Sequence, residues 1–337
     1  MSVIPVLNIS MLNGGIDEKN KFISLLTKAA HDVGFFYLSG HAVSFEFLKK
    51  VREITKRFFD LPEKDKLLVS MINSPHFRGY NISGNERTNG KADWREQFDI
   101  GAEREPYRLT DMDPIWLGLH GHNQWPKSLP ELKNIMLAYN DTLTGISLKL
   151  LRALSLGLGL PENSFDEIYG DMPNEHVKLI RYPSCRSTKD GQGVGAHKDS
   201  GLLTLILQDD SKGLQVKTGD NKWIDVFPIP DTFVVNLGEI LELATNGYLK
   251  ATIHRVLSPI GQEERISIAY FLGASLDSIV PVFELTKTLT SGISLIETDP
   301  NNPLLRNVGL NYMKGRLRSH PDVAKKFYSK WSNLYEK

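Results

Sequence analysis

Between residues 131 and 158 the apolar positions Leu132, Ile135, Met136, Tyr139, Leu143, Ile146, Leu150, Leu151 and Leu154 recur at helical spacing. The pattern predicts one long amphipathic helix, stopped by Gly157, Gly159 and Pro161, that braces a sheet from outside. A shorter stripe of Phe22, Leu25, Leu26 and Ala29 predicts a helix over 17–33 that Gly34 closes. Ser44 can cap a third, whose stripe is Phe47, Leu48, Val51, Ile54 and Phe58 and which ends before Pro62. Residues 35–38 read as a strand, and the alternation over 4–9, with Pro5 near its start, reads as an edge strand.

From residue 177 the texture changes. Short apolar runs at 177–182, 202–207, 214–216, 223–226, 232–236, 253–257 and 265–271 alternate with Gly, Asp and Asn turns, which predicts a sandwich or barrel. After Gly273 that rhythm is lost, and 308–317 and 323–334 read as helices on either side of Pro321. Residues 71–100 are polar and glycine-bearing with no sustained period, and a long irregular segment in a compact domain is functional or mobile.

Composition narrows the classes. Forty basic residues balance forty acidic ones, whereas a nucleic-acid or anionic-membrane partner calls for a basic face. No window approaches the ~20 apolar residues of a membrane span, and the N-terminus lacks a basic region followed by an apolar one, so a soluble protein is expected. The single cysteine, Cys185, cannot form an internal disulfide, which fits a cytoplasmic protein.

His197 and Asp199 stand two apart in Gly195-Ala196-His197-Lys198-Asp199, so on a strand they share a face. His254, in a run of strand-forming residues, offers a second imidazole. Two imidazoles and one carboxylate leave metal positions open, as non-haem Fe(II) chemistry requires, although zinc accepts the same donors. Arg265 and Ser267 also share a face and form a fork for a carboxylate, which suits a chelating oxo-acid beside an open metal. His31, His41, His76, His120, His122, His176 and His320 read as ordinary surface or core residues. Gly191, Gly193 and Gly195 read as turn residues, because a strand rather than a helix follows them. Cys185, with only Arg186 as a basic neighbour, is not read as a nucleophile.

Tyr182-Pro183-Ser184-Cys185, His197-Lys198-Asp199, Gly213-Leu214-Gln215-Val216, Val235-Asn236-Leu237-Gly238, His254-Arg255-Val256 and Arg265-Ile266-Ser267 follow one another in a familiar order. In order and spacing they resemble the 2-oxoglutarate- and Fe(II)-dependent dioxygenases of the isopenicillin N synthase-like family. The resemblance implies a mainly β protein with flanking α: a double-stranded β-helix (jelly roll) core at 171–275, an N-terminal region at 1–170 packed on it, and a C-terminal helical lid at 276–337, together one catalytic unit. It also implies Fe(II) on His197, Asp199 and His254, and 2-oxoglutarate chelating that iron with its far carboxylate on Arg265 and Ser267 and a further contact to the Tyr182 hydroxyl. O2 would take the remaining position. The implied reaction is oxidation of a C–H bond of a small molecule, most simply hydroxylation, with release of succinate and CO2.

In relatives the region matching 71–100 lines the mouth of the active site, which makes Arg78, Tyr80, Arg95 and Phe98 expected substrate contacts, with Phe271 at another such position. Ile180 stands where many plant members carry Asn, so the cosubstrate pocket is expected to differ in detail. Two alternatives stay open. One is a same-fold oxidase or cyclase that does not use 2-oxoglutarate and holds a substrate carboxylate on Arg265 and Ser267; the other is a non-catalytic binding or sensor protein.

Overall fold

The computed structural model describes residues 4–184, 192–261, 264–290 and 303–334; Cys185, Arg186 and Gly191 lie outside them. The chain opens with strand β1 (Val6–Asn8), helix α1 (Ile16–Asp32), β2 (Phe35–Ser39), α2 (Phe45–Phe59) and α3 (Glu63–Leu68). It continues through β3 (Gly79–Asn81), a small hairpin of β4 (Arg87–Thr88) and β5 (Lys91–Ala92), β6 (Glu96–Gly101), α4 (Glu131–Gly157) and α5 (Asp166–Tyr169). Capping is as the residues dictate. Ser44 accepts the Phe47 amide at 3.2 Å to start α2. Gly34 ends α1 with φ of +69°, where a side chain would collide with the Lys250 carbonyl.

A run of strands follows: β7 (Asn174–Tyr182), β8 (Gln192–His197), β9 (Leu203–Gln208), β10 (Leu214–Lys217), β11 (Trp223–Asp225) and β12 (Phe233–Leu237). Short helix α6 (Glu239–Ala244) precedes β13 (His254–Leu257) and β14 (Arg265–Gly273), and α7 (Lys287–Thr290), α8 (Val308–Ser319) and α9 (Pro321–Phe327) complete the described chain. Pro321 is the first residue of α9 rather than an interruption within a helix, a position where its missing N–H costs nothing.

The strands form two main sheets. The larger runs β1-β2-β12-β9-β14-β7-β6-β3 and the smaller β11-β10-β13-β8, which is the jelly-roll arrangement. β1 is the edge strand that Pro5 predicts. Alternation sorts the large sheet's side chains. Val177, Leu179, Ile268 and Tyr270 face outward into one core shared with Phe22, Phe58, Tyr139 and Leu150 of α1, α2 and α4. Ile180, Tyr182 and Ala269 face inward and meet Val194, Leu214 and Val256 of the small sheet. A third cluster joins Met313, Leu317 and Val323 of α8 and α9 to Phe77, Ile115 and Leu119.

The expectation of an irregular segment at 71–100 is corrected. β6 pairs along its whole length with β7, Glu96 opposite Arg181 through Gly101 opposite His176, and β3 pairs with β6. This part of the chain therefore extends the large sheet.

Candidate active site

β8 and β13 are antiparallel neighbours, and their register sets His254 directly opposite His197. Asp199 follows just past the end of β8. The three side chains form a group whose ligand atoms lie within 4.8 Å of one another, close enough to hold a metal ion. His197 Nδ1 donates to the Gly195 carbonyl at 2.8 Å and His254 Nδ1 to the Thr252 carbonyl at 3.1 Å. A carbonyl can only accept, so in its neutral form each ring keeps its Nε2 lone pair free. Those Nε2 atoms stand 3.5 and 3.7 Å from Asp199 Oδ1.

The other carboxylate oxygen is engaged. Asp199 Oδ2 accepts from Thr204 Oγ1 at 2.6 Å and from Asn236 Nδ2 at 2.7 Å. Burial opposes charge on Asp199, yet His254, His197 and the Asn236 amide together hold its carboxyl well below the usual range. Burial and the His197 charge pull His254 down to about 4, leaving it neutral and able to bind a metal. Donor types, tautomers and convergence fit a divalent metal with open positions.

Arg265 opens β14, faces inward and is 1% exposed. One nitrogen donates to Gln208 Oε1 at 3.0 Å, and the guanidinium carbon lies 5.0 Å from the Tyr182 ring centre. Its Nε and a second terminal nitrogen are buried with no partner, an arrangement that an incoming carboxylate would complete. Ser267, two residues on, shares its face and is buried. The fork is thus carried by the large sheet and the two histidines by the small one, with Arg265 and His254 both turned into the space between the sheets.

Of the residues expected to meet substrate, two are corrected. Phe98 packs on Phe58 at 4.4 Å between ring centres, and the Tyr80 hydroxyl donates to Glu96 Oε2 at 2.5 Å; both belong to the outward, helix-covered core. Their alternation on β3 and β6 turns them away from the barrel. Phe271 faces inward, 5.7 Å from His176.

The inner face of β6 and β7, with the expected substrate residue Arg95 just before it, carries further charged groups that sequence reading passed over. Asp99 accepts from His176 Nε2 at 2.8 Å, Arg316 at 3.1 Å and Gln97 at 2.9 Å. Lys178 pairs with Glu86 at 3.0 Å, and Arg95 pairs with Glu86 at 2.6 Å. Asp93 takes the Gly195 amide at 3.2 Å and so ties this wall to the strand that carries His197. The signal available for Thr204, Gln208 and Asn236 is a polar residue inside an otherwise apolar strand, which burial makes costly without a partner.

Fold and site together define a jelly-roll protein with an open two-histidine, one-carboxylate metal group and a cationic fork beside it. Residues 173–274 match the profile of the 2OG-Fe(II) oxygenase superfamily, and residues 4–128 match that of the non-haem dioxygenase in morphine synthesis N-terminal region. Homoarginine-6-hydroxylase 2-ODD-C23.1 of Arabidopsis thaliana is 37% identical over 299 residues, covering 84% of this chain and 88% of its own. The 2-oxoglutarate-dependent dioxygenase frbJ of Dothideomycetidae sp. is 32% identical over 340 residues, covering 96% and 91%. A full-length Neurospora crassa protein, crystallised with alpha-KG and thymine, superposes with a TM-score of 0.76 at 26% identity over 97% of each chain. The chain belongs to the 2OG-Fe(II) oxygenase superfamily, whose reagents are Fe(II), 2-oxoglutarate and O2.

Proposed function

We propose that the protein is a hydroxylase of a small molecule, with His197, Asp199 and His254 as the iron ligands and Arg265, Ser267 and Tyr182 as the seat of the 2-oxoglutarate far carboxylate. Bound there, Fe(II), 2-oxoglutarate and O2 would supply the oxidation of a substrate C–H bond to C–OH, with succinate and CO2 as the other products. The observation that carries the reading is the Arg265 guanidinium, buried between the sheets with two nitrogens unpartnered, opposite the sheet that carries the two histidines.

The chain's own share is placement. Gln208 fixes the plane of the guanidinium, so its free edge is presented without the conformational loss a mobile arginine would suffer. Thr204 and Asn236 occupy one oxygen of Asp199 and leave the other to a metal. Apolar residues at the back of the barrel, Ile180, Val194, Ile206 and Val256, keep water from the reacting atoms. Arg95 and Phe271 are taken as residues of the substrate wall. We take 171–275 as the catalytic core, 1–170 as its brace and 276–337 as a lid, and we place the protein in the cytosol on the strength of its lone cysteine.

Succinate formation from 2-oxoglutarate by the iron-loaded protein tests the reading, with L-homoarginine, the compound in the Arabidopsis relative's name, as the first substrate offered. O2 uptake without succinate would favour an oxidase that bypasses 2-oxoglutarate.

A further inference from the structure

The wall formed by β6, β7 and α8 buries four basic side chains, Arg78, Arg95, Lys178 and Arg316, against three acidic ones, Glu86, Asp93 and Asp99. His176 and His320, in the same wall, are pulled down to about 3 and about 4 by burial and, for each, by the Arg316 charge, so both are neutral at pH 7. Three of the four cations have carboxylate partners: Arg95 and Lys178 on Glu86, Arg316 on Asp99. Arg78 has none. Among the described residues its guanidinium makes one long hydrogen bond, 3.5 Å to the Leu119 carbonyl, and its Nε is buried without a partner.

Nor can its neighbours serve. Asp99 is committed to His176, Arg316, Lys178 and Gln97, and Glu175, which Arg104 approaches at 3.5 Å, makes no hydrogen bond or ion pair with Arg78. Burial and Arg316 pull Arg78 down to about 10, the mark of a cation whose surroundings do not balance it.

Position gives that deficit a use. Any side chain at Gly101 would collide with the Arg78 guanidinium, so the guanidinium sits over the space that glycine leaves. Gly101 is opposite His176, which is opposite Phe271, and the three form one row across β6, β7 and β14 on the barrel-facing side. A second orphan belongs to the same wall: Gln97 gives its Nε2 to Asp99 at 2.9 Å, and its Oε1 is buried with no donor.

Resting on the oxygenase reading above, we infer that the substrate is a small carboxylic acid whose carboxylate is received by the Arg78 guanidinium at the mouth of the barrel. The carboxylate brings the wall to four positive and four negative groups and can bond the guanidinium edge bidentately.

The test uses the full iron-loaded chain and reads succinate. The probes are L-homoarginine and a panel of amino, hydroxy, aliphatic and aromatic carboxylic acids, each beside its primary amide, with thymine as an uncharged ring. Acids in the panel should stimulate succinate release, and their amides and thymine should not. Arg78→Gln should raise KM for a stimulating acid roughly ten- to a hundredfold, the worth of one charge-assisted hydrogen bond. Arg78→Lys should recover part of that loss. Without ligand, Arg78→Gln should unfold at a temperature no lower than the unaltered protein, because it removes an unbalanced buried charge. A lower unfolding temperature would make Arg78 a structural cation and end the proposal, as would amides acting as well as acids, or silence from every acid. The unaltered protein's slow succinate release without any substrate separates the two readings. If it is present while the acids are silent, only the acid assignment falls; if it is absent throughout, the oxygenase reading falls and takes this one with it.

Discussion

Asn236 donates its side-chain amide to Asp199 Oδ2 at 2.7 Å, and both residues are buried at the junction of the two sheets. With Thr204 on the same oxygen, the carboxylate can turn only Oδ1 toward the two histidines. Replacing Asn236 by Ala leaves the three ligands in the chain but removes one of the two hydrogen bonds that orient the carboxylate. Loss of such a supporting contact typically costs about 10- to 100-fold in metal affinity, and that is the expected change for Asn236→Ala. Anaerobic Fe(II) titration of the variant measures it, and affinity equal to the unaltered protein's would remove Asn236 from this role.

Arg265→Ala should raise KM for 2-oxoglutarate roughly ten- to a hundredfold, since a charge-assisted hydrogen bond contributes about 1.5–3 kcal/mol. Gln208→Ala should produce a smaller rise in the same constant, because it frees the guanidinium without removing it. The comparison is made on succinate formation at saturating iron.

Acid should destabilise the fold before it protonates the surface carboxylates. His176 and His320, at about 3 and about 4, bind protons more weakly when folded than when unfolded. Between about pH 4 and 6.5 the unfolded chain therefore holds more protons, and stability falls as pH drops through that window. Each histidine should account for up to about 2 kcal/mol of loss between pH 6.5 and 5, an order-of-magnitude figure from 1.36 kcal/mol per unit. Thermal unfolding at pH 7, 6 and 5 should show the fall, and a shallower one for His176→Gln. Equal slopes in the two proteins would contradict it.

Arg316 reaches from α8 to Asp99 on β6 at 3.1 Å and joins the end of the chain to the barrel wall. Arg316→Met removes the nearer cationic partner of buried Asp99 and leaves the carboxylate to Lys178 at 3.7 Å and two neutral donors, which costs up to about 3–5 kcal/mol. Urea unfolding should lose that much at constant slope. Asp99→Asn in the same background should restore part of it, since the stranded charge is then gone.

Most of the strand positions and the donor residues of the candidate metal group could be read from the sequence, because side-chain direction on a strand repeats every two residues. Arg265 and Ser267 needed no coordinates to be set on one face. The segment at 71–100 was misread for a related reason. On β6 the inward positions are Gln97 and Asp99 and the outward ones Glu96, Phe98 and Ile100, so buried polar groups hide the apolar alternation. Polar residues look exposed in a sequence, and only their distant partners, Lys66 and Arg181 for Glu96 or Arg316 for Asp99, show why they are inside.

The chain's own text determined the local quantities: which positions alternate, where helices start and stop, and which side chains share a strand face. Tertiary structure alone decided the pairing of His254 with His197, the turning of Tyr80 and Phe98 toward the helices, and the stranding of Arg78 without a carboxylate. The division is physical. Dihedral preferences and periodicity act over a few residues, whereas strand register and charge balance are settled between segments that meet only when the whole chain has folded.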